Sequence, residues 1–153
     1  MHDERIRSLA KATSIACTAI TSPHLAALQD SVDQACGIPA GVQWDRKAAA
    51  HARFFNVLAN VTDHPRSGPV LDDGARLAYE LMVAAGRNAD GMVITSRRQL
   101  LRCLRAGDAD QAAAEMEKHL RVLQFMWRLA GGGPGRPRPA VGGSGAPARP
   151  PAR

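Results

Sequence analysis

Apolar residues recur at helical spacing over most of the chain. In six segments they lie three or four positions apart, so that each segment would carry one apolar stripe if it were an α-helix. Strand-type alternation is hardly visible. The pattern therefore predicts an all-α fold, an antiparallel bundle of six to seven helices, with helices over about residues 3–18, 22–36, 42–61, 70–85, 89–106 and 109–130.

Proline, glycine and capping residues mark the breaks between these segments. The Ser-Pro pair at residues 22–23 is suited to begin the second helix, with the serine as its cap. Residues 63–69, DHPRSGP, predict a loop before the fourth helix. Gly107 is suited to end the fifth helix in a left-handed conformation, and Asp108 with Gln111 has the spacing of a capping box.

Composition divides the chain into two parts. Residues 131–153 read GGGPGRPRPAVGGSGAPARPPAR, which has too little apolar surface to offset the entropy of ordering it. We therefore expect a single helical domain over residues 1–130 and a disordered C-terminal tail over 131–153. The formal net charge is +6, but four arginines lie in the tail, so the charge does not indicate a nucleic-acid-binding fold. Nucleic-acid binding by the tail is an alternative, although its arginines are sparse and no aromatic residue lies between them.

The cysteines and the apolar runs indicate where such a protein would reside. Cys17, Cys36 and Cys103 are odd in number and form no CxxC pair, which is typical of reduced thiols. No stretch approaches the roughly 18 apolar residues of a membrane span, and the N-terminus lacks the apolar run of a signal peptide. We expect a cytoplasmic protein without membrane contact.

Three polar residues, His51, Arg97 and His119, lie on otherwise apolar helix stripes. Burying a cation such as Arg97 costs several kcal/mol unless something pairs with it. The histidines could be satisfied core residues and Arg97 could extend its charged head into water, or the three could form a binding site. GxSxG, P-loop and HExxH motifs are absent, so the sequence does not predict an enzyme, and a metal-dependent enzyme is the least favoured alternative.

Two segments of the chain match a known sequence pattern in which apolar residues at helical spacing are combined with histidines and aspartates at fixed positions. Residues 51–58, HARFFNVL, are followed by Asp-His-Pro at 63–65, where a known pattern has Asp-x-x-Phe-His-x-x-Leu and then Asn-Pro. Residues 97–108, RRQLLRCLRAGD, are followed by Ala112, Met116 and His-Leu at 119–120, where that pattern has His-x-x-Ile-x-x-Ala-Ile-x-x-Gly-Asp and then Ala, Met and His-Leu. Together they resemble the C-terminal domain of the FadR branch of the GntR family of bacterial transcription regulators, over about residues 5–130.

The resemblance implies a pocket inside the helical bundle that senses a small effector. Many members of the family hold a divalent metal there with one Asp and three His. At the matching positions this chain has His51, Phe55, Arg97 and His119, so only the last ligand is kept. We expect no metal and no cofactor; if a metal were present, His51 and His119 would be its remaining ligands.

The expected function is therefore effector sensing in a transcription regulator. His51, Phe55, Arg97 and His119 would bind a small carboxylate or acyl-type effector, with Arg97 gripping its negative charge. The resemblance begins almost at Met1, so the winged helix-turn-helix of the family is expected to be absent from this chain, together with specific DNA binding by the chain alone. A homodimer, or a heterodimer with a full-length regulator, is a possible assembly. The main alternative is a stand-alone helical interaction module that binds a partner protein and no small molecule.

Overall fold

The computed structural model describes residues 2–41 and 43–132. In this part of the chain, helices are the only regular secondary structure, and short turns connect them. The helices are α1 His2–Ala19, α2 Ser22–Cys36, α3 Trp44–Ala59, α4 Ser67–Ala85, α5 Asp90–Ala106 and α6 Ala109–Leu129. A short 3-10 turn, Arg87–Ala89, leads directly into α5. The prediction of an all-α fold is confirmed. Most of the predicted disordered tail, residues 133–153, lies outside the described residues.

The helices pack around one apolar core. α1 packs against α4 and α6, α3 packs against α2 and α4, and α5 packs against α6 and α2. Every helix contributes its predicted apolar stripe to the core, which is why amphipathic spacing alone located all six. None of the helices in the described ranges combines the length and apolar content needed to cross a bilayer.

Helix α1 is attached to its two neighbours by ion pairs as well as by apolar contact. Arg5 binds both carboxylate oxygens of Asp73 on α4, with Nε and Nη2 each 3.0 Å from an oxygen. At the same end of α1, Asp3 accepts a hydrogen bond from Arg121 on α6. These charged contacts flank the apolar face of α1 and orient the helix across α4 and α6.

Two helix starts differ from the prediction. Thr21 rather than Ser22 is the cap of α2, and the His24 ring nitrogen Nδ1 accepts the Thr21 backbone N–H at 3.1 Å. α4 begins at Ser67, within the predicted loop. Pro69 is compatible with this earlier start because the first turn of a helix does not need its backbone N–H.

The junction between α5 and α6 follows the prediction in most details. Gly107 adopts the left-handed conformation, with φ 71° and ψ 20°, and the Asp108 side chain accepts the Gln111 backbone N–H at 3.1 Å. The other half of the predicted capping box is replaced, because the Asp108 N–H donates to the Cys103 carbonyl at 3.0 Å. That hydrogen bond is part of the C-terminal cap of α5, which depends on Gly107. Asp108 therefore ends α5 with its backbone N–H and begins α6 with its side chain.

Candidate functional site

The three polar residues predicted to face inward converge at one place in the core. His51 on α3, Arg97 on α5 and His119 on α6 are 1%, 1% and 2% exposed. The Arg97 atom Nη1 lies 2.8 Å from His119 Nε2, and Nη2 donates to the backbone carbonyl of His51 at 3.3 Å. The alternative in which Arg97 extends its head into water is therefore wrong. The packing of three helices encloses the guanidinium completely.

Two phenylalanines of α3 lie against this guanidinium. The Arg97 carbon Cζ is 5.2 Å from the centre of the Phe54 ring and 5.0 Å from that of Phe55. Both distances are within the range in which an aromatic face attracts a cation. Both rings are fully buried, so Phe55, a predicted site residue, forms part of an apolar wall around the charge.

A second, partly exposed cluster adjoins the first and was missed in the sequence. Asp90, at the start of α5, accepts from His51 Nε2 at 3.0 Å on one carboxylate oxygen. Its other oxygen lies 3.1 Å from the ammonium nitrogen of Lys47, whose side chain is 5% exposed. One carboxylate thus serves both a buried lysine and a buried histidine.

The sequence contains a signal for Lys47 but none for Asp90. Lys47 lies four residues before His51, so it shares the inward face of α3, and this spacing could have identified it. Asp90 begins a helix, a position at which capping is a sufficient explanation for an aspartate. Its role depends on how α5 is placed against α3, which helical periodicity does not reveal.

Burial determines the charge states of the cluster. Removal from water lowers the pKa of His51 to about 4, although Asp90 opposes the shift. The pKa of His119 lies well below its ordinary value because of burial and the nearby Arg97 charge. Burial also lowers the pKa of Arg97, to about 9. At neutral pH both histidines are therefore neutral, whereas Arg97 carries its positive charge.

These charge states assign the ring hydrogens. A guanidinium has only donors, so His119 Nε2 accepts from Arg97 and its hydrogen is on Nδ1. His51 is the opposite tautomer, because its Nε2 donates to the Asp90 carboxylate and its Nδ1 is a free acceptor. Within the described part of the chain, three buried atoms of this site have no hydrogen-bond partner: Arg97 Nε, His119 Nδ1 and His51 Nδ1. Since unpaired buried polar atoms are costly, they make this cluster the candidate site in the described part of the chain.

The residues present do not fit the divalent metal that the family resemblance implies. Phe55 has no donor atom, and the charged Arg97 cannot be a ligand. The unprotonated ring nitrogen of His119, Nε2, already accepts a hydrogen bond from the Arg97 guanidinium, so it is not available to a metal ion. Within residues 2–41 and 43–132, no group of three or more histidine, cysteine, aspartate or glutamate side chains is arranged to hold a metal ion. The positive charge at this site is supplied by a side chain of the protein.

Comparison with known protein families identifies the domain. The family model of the FCD domain matches residues 10–122, which include all six helices in whole or in part and every residue of the site. No curated protein and no solved structure matches the chain. With the helical fold and the match over most of its length, the chain belongs to the FCD family, the ligand-sensing C-terminal domain of FadR-like GntR-family transcription regulators.

Proposed function

We propose that this FCD domain senses a small carboxylate or acyl-type effector, with Arg97 as the anchor for its negative charge or its polarised oxygen. The observation that carries the proposal is a fully buried guanidinium that no carboxylate of the described residues neutralises. A buried charge without a counter-charge costs several kcal/mol. An anionic ligand would remove that cost on binding, and the relief would add to its affinity.

The charge count around the site supports an anion. Lys47 and Arg97 are buried cations, whereas Asp90 is the carboxylate of the cluster and is already bound by Lys47 and His51. With both histidines neutral, the cluster holds one net positive charge. The Arg97 Nε–H has no hydrogen-bond partner, whereas Nη1 and Nη2 bind His119 and the His51 carbonyl. This Nε–H could donate one of the two hydrogen bonds of a bidentate contact with a carboxylate.

The surroundings of the guanidinium favour an effector with an apolar part. Phe54, Phe55, Leu58 and Met116 are all fully buried in the core that encloses the site. Because the Arg97 side chain is only 1% exposed, an effector would have to displace side chains to reach its guanidinium. His119 is the side chain that must move or give up its hydrogen bond, since it contacts Arg97 directly.

Arg97→Met tests the anchor directly. The substitution keeps the length and apolar character of the side chain and removes the charge, so we expect the fold to be kept and its stability unchanged or raised. Binding of acids and acyl thioesters should be lost, because removing one partner of a buried charged pair costs about 2–5 kcal/mol. Thermal-shift screening with straight-chain carboxylates and acyl thioesters, followed by calorimetry on the best ligand, measures the effect.

Arg98→Met is the matched control. Arg98 is the next residue along α5 but is exposed, so its loss should leave binding unchanged. Equal stabilisation of the wild-type and Arg97→Met proteins by the best ligand would refute the anchor role. Stoichiometric zinc or nickel in the purified protein would refute the inference that the guanidinium has replaced a metal.

A second candidate function has an observation of its own. The guanidinium is enclosed by Phe54, Phe55, His119 and the His51 carbonyl, an arrangement that also suits a purely structural core. In that case the domain would be a helical interaction module that binds a partner protein, such as a second copy or a full-length regulator. It predicts no small-molecule stabilisation of the wild-type protein and a dimer or mixed dimer in analytical ultracentrifugation.

A further inference from the structure

A groove of about 610 Å³ lies between α5 and α6, next to the buried site. Met92 and Val122 supply its apolar part, and His119 lines it as well. Most of the residues that line it have polar side chains, which come from both helices: Thr95, Ser96, Gln99, Gln111, Glu115 and Lys118. The groove therefore joins the protein surface to a residue that directly contacts Arg97.

His119 has a different role on each side of its ring. Its Nε2 accepts the hydrogen bond from Arg97, at 2.8 Å, so its hydrogen is carried on Nδ1. That Nδ1–H is buried and has no acceptor among the described residues. His119 is 2% exposed and lines the groove. Its unused Nδ1–H is therefore available to donate a hydrogen bond to a ligand.

We propose that the α5–α6 groove is a second ligand subsite, which binds an uncharged, oxygen-bearing part of the effector through the His119 Nδ1–H. The inference rests on the proposed function, since the groove would hold the body of the molecule whose anionic group reaches Arg97. Movement of the His119 ring, one of the two ways in which an effector could reach Arg97, would turn this donor towards the ligand. His119 thus connects the two subsites.

The charges in the groove favour a neutral occupant. Glu115 is 3.7 Å from Lys118 and accepts from the Ser96 hydroxyl at 3.0 Å, so the one carboxylate and the one ammonium of the wall are paired with each other. The remaining polar side chains are hydroxyls and amides, which bind carbonyl, hydroxyl and amide groups. The chemical class of effector is therefore an acid with hydrogen-bonding oxygen atoms along its body, in preference to an acid with a plain alkyl chain.

Calorimetry with matched acids tests this subsite on the full chain. The probes are hexanoate and its 3-oxo, 4-oxo and 5-oxo counterparts, which share one carboxylate and differ in the position of a single acceptor. At least one oxo acid should bind wild-type protein about tenfold more tightly than hexanoate does, because a buried donor gains its acceptor. The same acid should shift the His119 Nδ1–H signal in nitrogen-15 NMR.

Two tryptophan variants place the effect in the groove. Thr95→Trp fills the groove from an exposed position of α5 and should abolish the preference for the oxo acid, while Arg98→Trp, on the same helix outside the groove, should keep it. Equal binding of hexanoate and every oxo acid by the wild type would overturn the inference. So would a preference that survives in Thr95→Trp. The effect of Arg97→Met on binding tests only the proposed role of Arg97 as the anchor, whatever the oxo acids show. Failure of every acid to bind the wild-type protein would overturn both the proposed function and the subsite.

Discussion

At the scale of single residues, the site depends on two histidines that the core keeps neutral. His51 is held by Asp90 and His119 by Arg97, and both have a pKa below the ordinary value because burial disfavours the charged ring. In the unfolded chain each would take up a proton near pH 6.5. The folded state therefore binds fewer protons than the unfolded state in mildly acidic solution.

This difference predicts a loss of stability on acidification. The contribution of His51 is fully present above pH 6.5 and is lost as the pH falls from 6.5 towards its folded pKa of about 4. A shift of this size corresponds to about 3 kcal/mol in the free energy of unfolding. Urea denaturation followed by circular dichroism at several pH values would measure it.

His51→Gln should reduce this pH dependence, because glutamine does not titrate, and the share contributed by His119 should remain. If the variant and the wild-type protein showed the same slope between pH 6.5 and 4, His51 would not be held neutral in the folded state.

At the scale of elements, local sequence signals determine where the helices end. The α5–α6 junction is the clearest case, since Gly107 at φ 71° closes α5 and the Asp108 side chain caps α6. A Cβ atom at Gly107 would meet no neighbour within 4 Å, so the requirement for glycine there comes from the backbone conformation alone. The junction also sets the spacing between Arg97 and His119, which lie on the two helices it connects.

Substitution at this glycine should therefore have a purely conformational cost. Gly107→Ala should lower the free energy of unfolding by about 1 kcal/mol, and Gly107→Asn by less, because asparagine tolerates the left-handed region. Thermal denaturation of the three proteins tests the order glycine, asparagine, alanine. An alanine variant as stable as the wild type would show that α5 ends without the left-handed cap.

At the scale of the whole molecule, the contact between α1 and α4 shows what helix packing adds. Gly74 of α4 lies against the side chain of Leu9 on α1, and both residues are buried. An added methyl group at Gly74 would overlap the Leu9 side chain. The close approach of the two helices depends on glycine at this one position.

Gly74→Ala should therefore destabilise the protein even though alanine is the better helix former. The gain in helix propensity is about 1 kcal/mol, and overpacking a core costs about 1–3 kcal/mol, so the net loss should be about 1 kcal/mol. In a Leu9→Ala background the overlap is removed and Gly74→Ala should become stabilising. Chemical denaturation of the four proteins measures this reversal of sign.

Gly91 serves as the comparison site in α5. A Cβ atom there would meet nothing within 4 Å, so Gly91→Ala should be neutral or stabilising in either background. Loss of stability on Gly74→Ala in both backgrounds would argue against close packing of Leu9 on Gly74 as the cause.

Helical periodicity by itself determined the fold class, the six helices and the inward direction of His51, Arg97 and His119, because each of these follows from the order of residues within one helix. The resemblance added Phe55 and the expectation that these residues share one site. Tertiary structure decided what each of them contacts. It placed the Arg97 guanidinium against two aromatic rings and His119, paired Asp90 with Lys47 and His51, and left one donor of His119 unused beside the α5–α6 groove. These features depend on distances between side chains of different helices, which the packing of the helices fixes and the pattern along one helix does not contain.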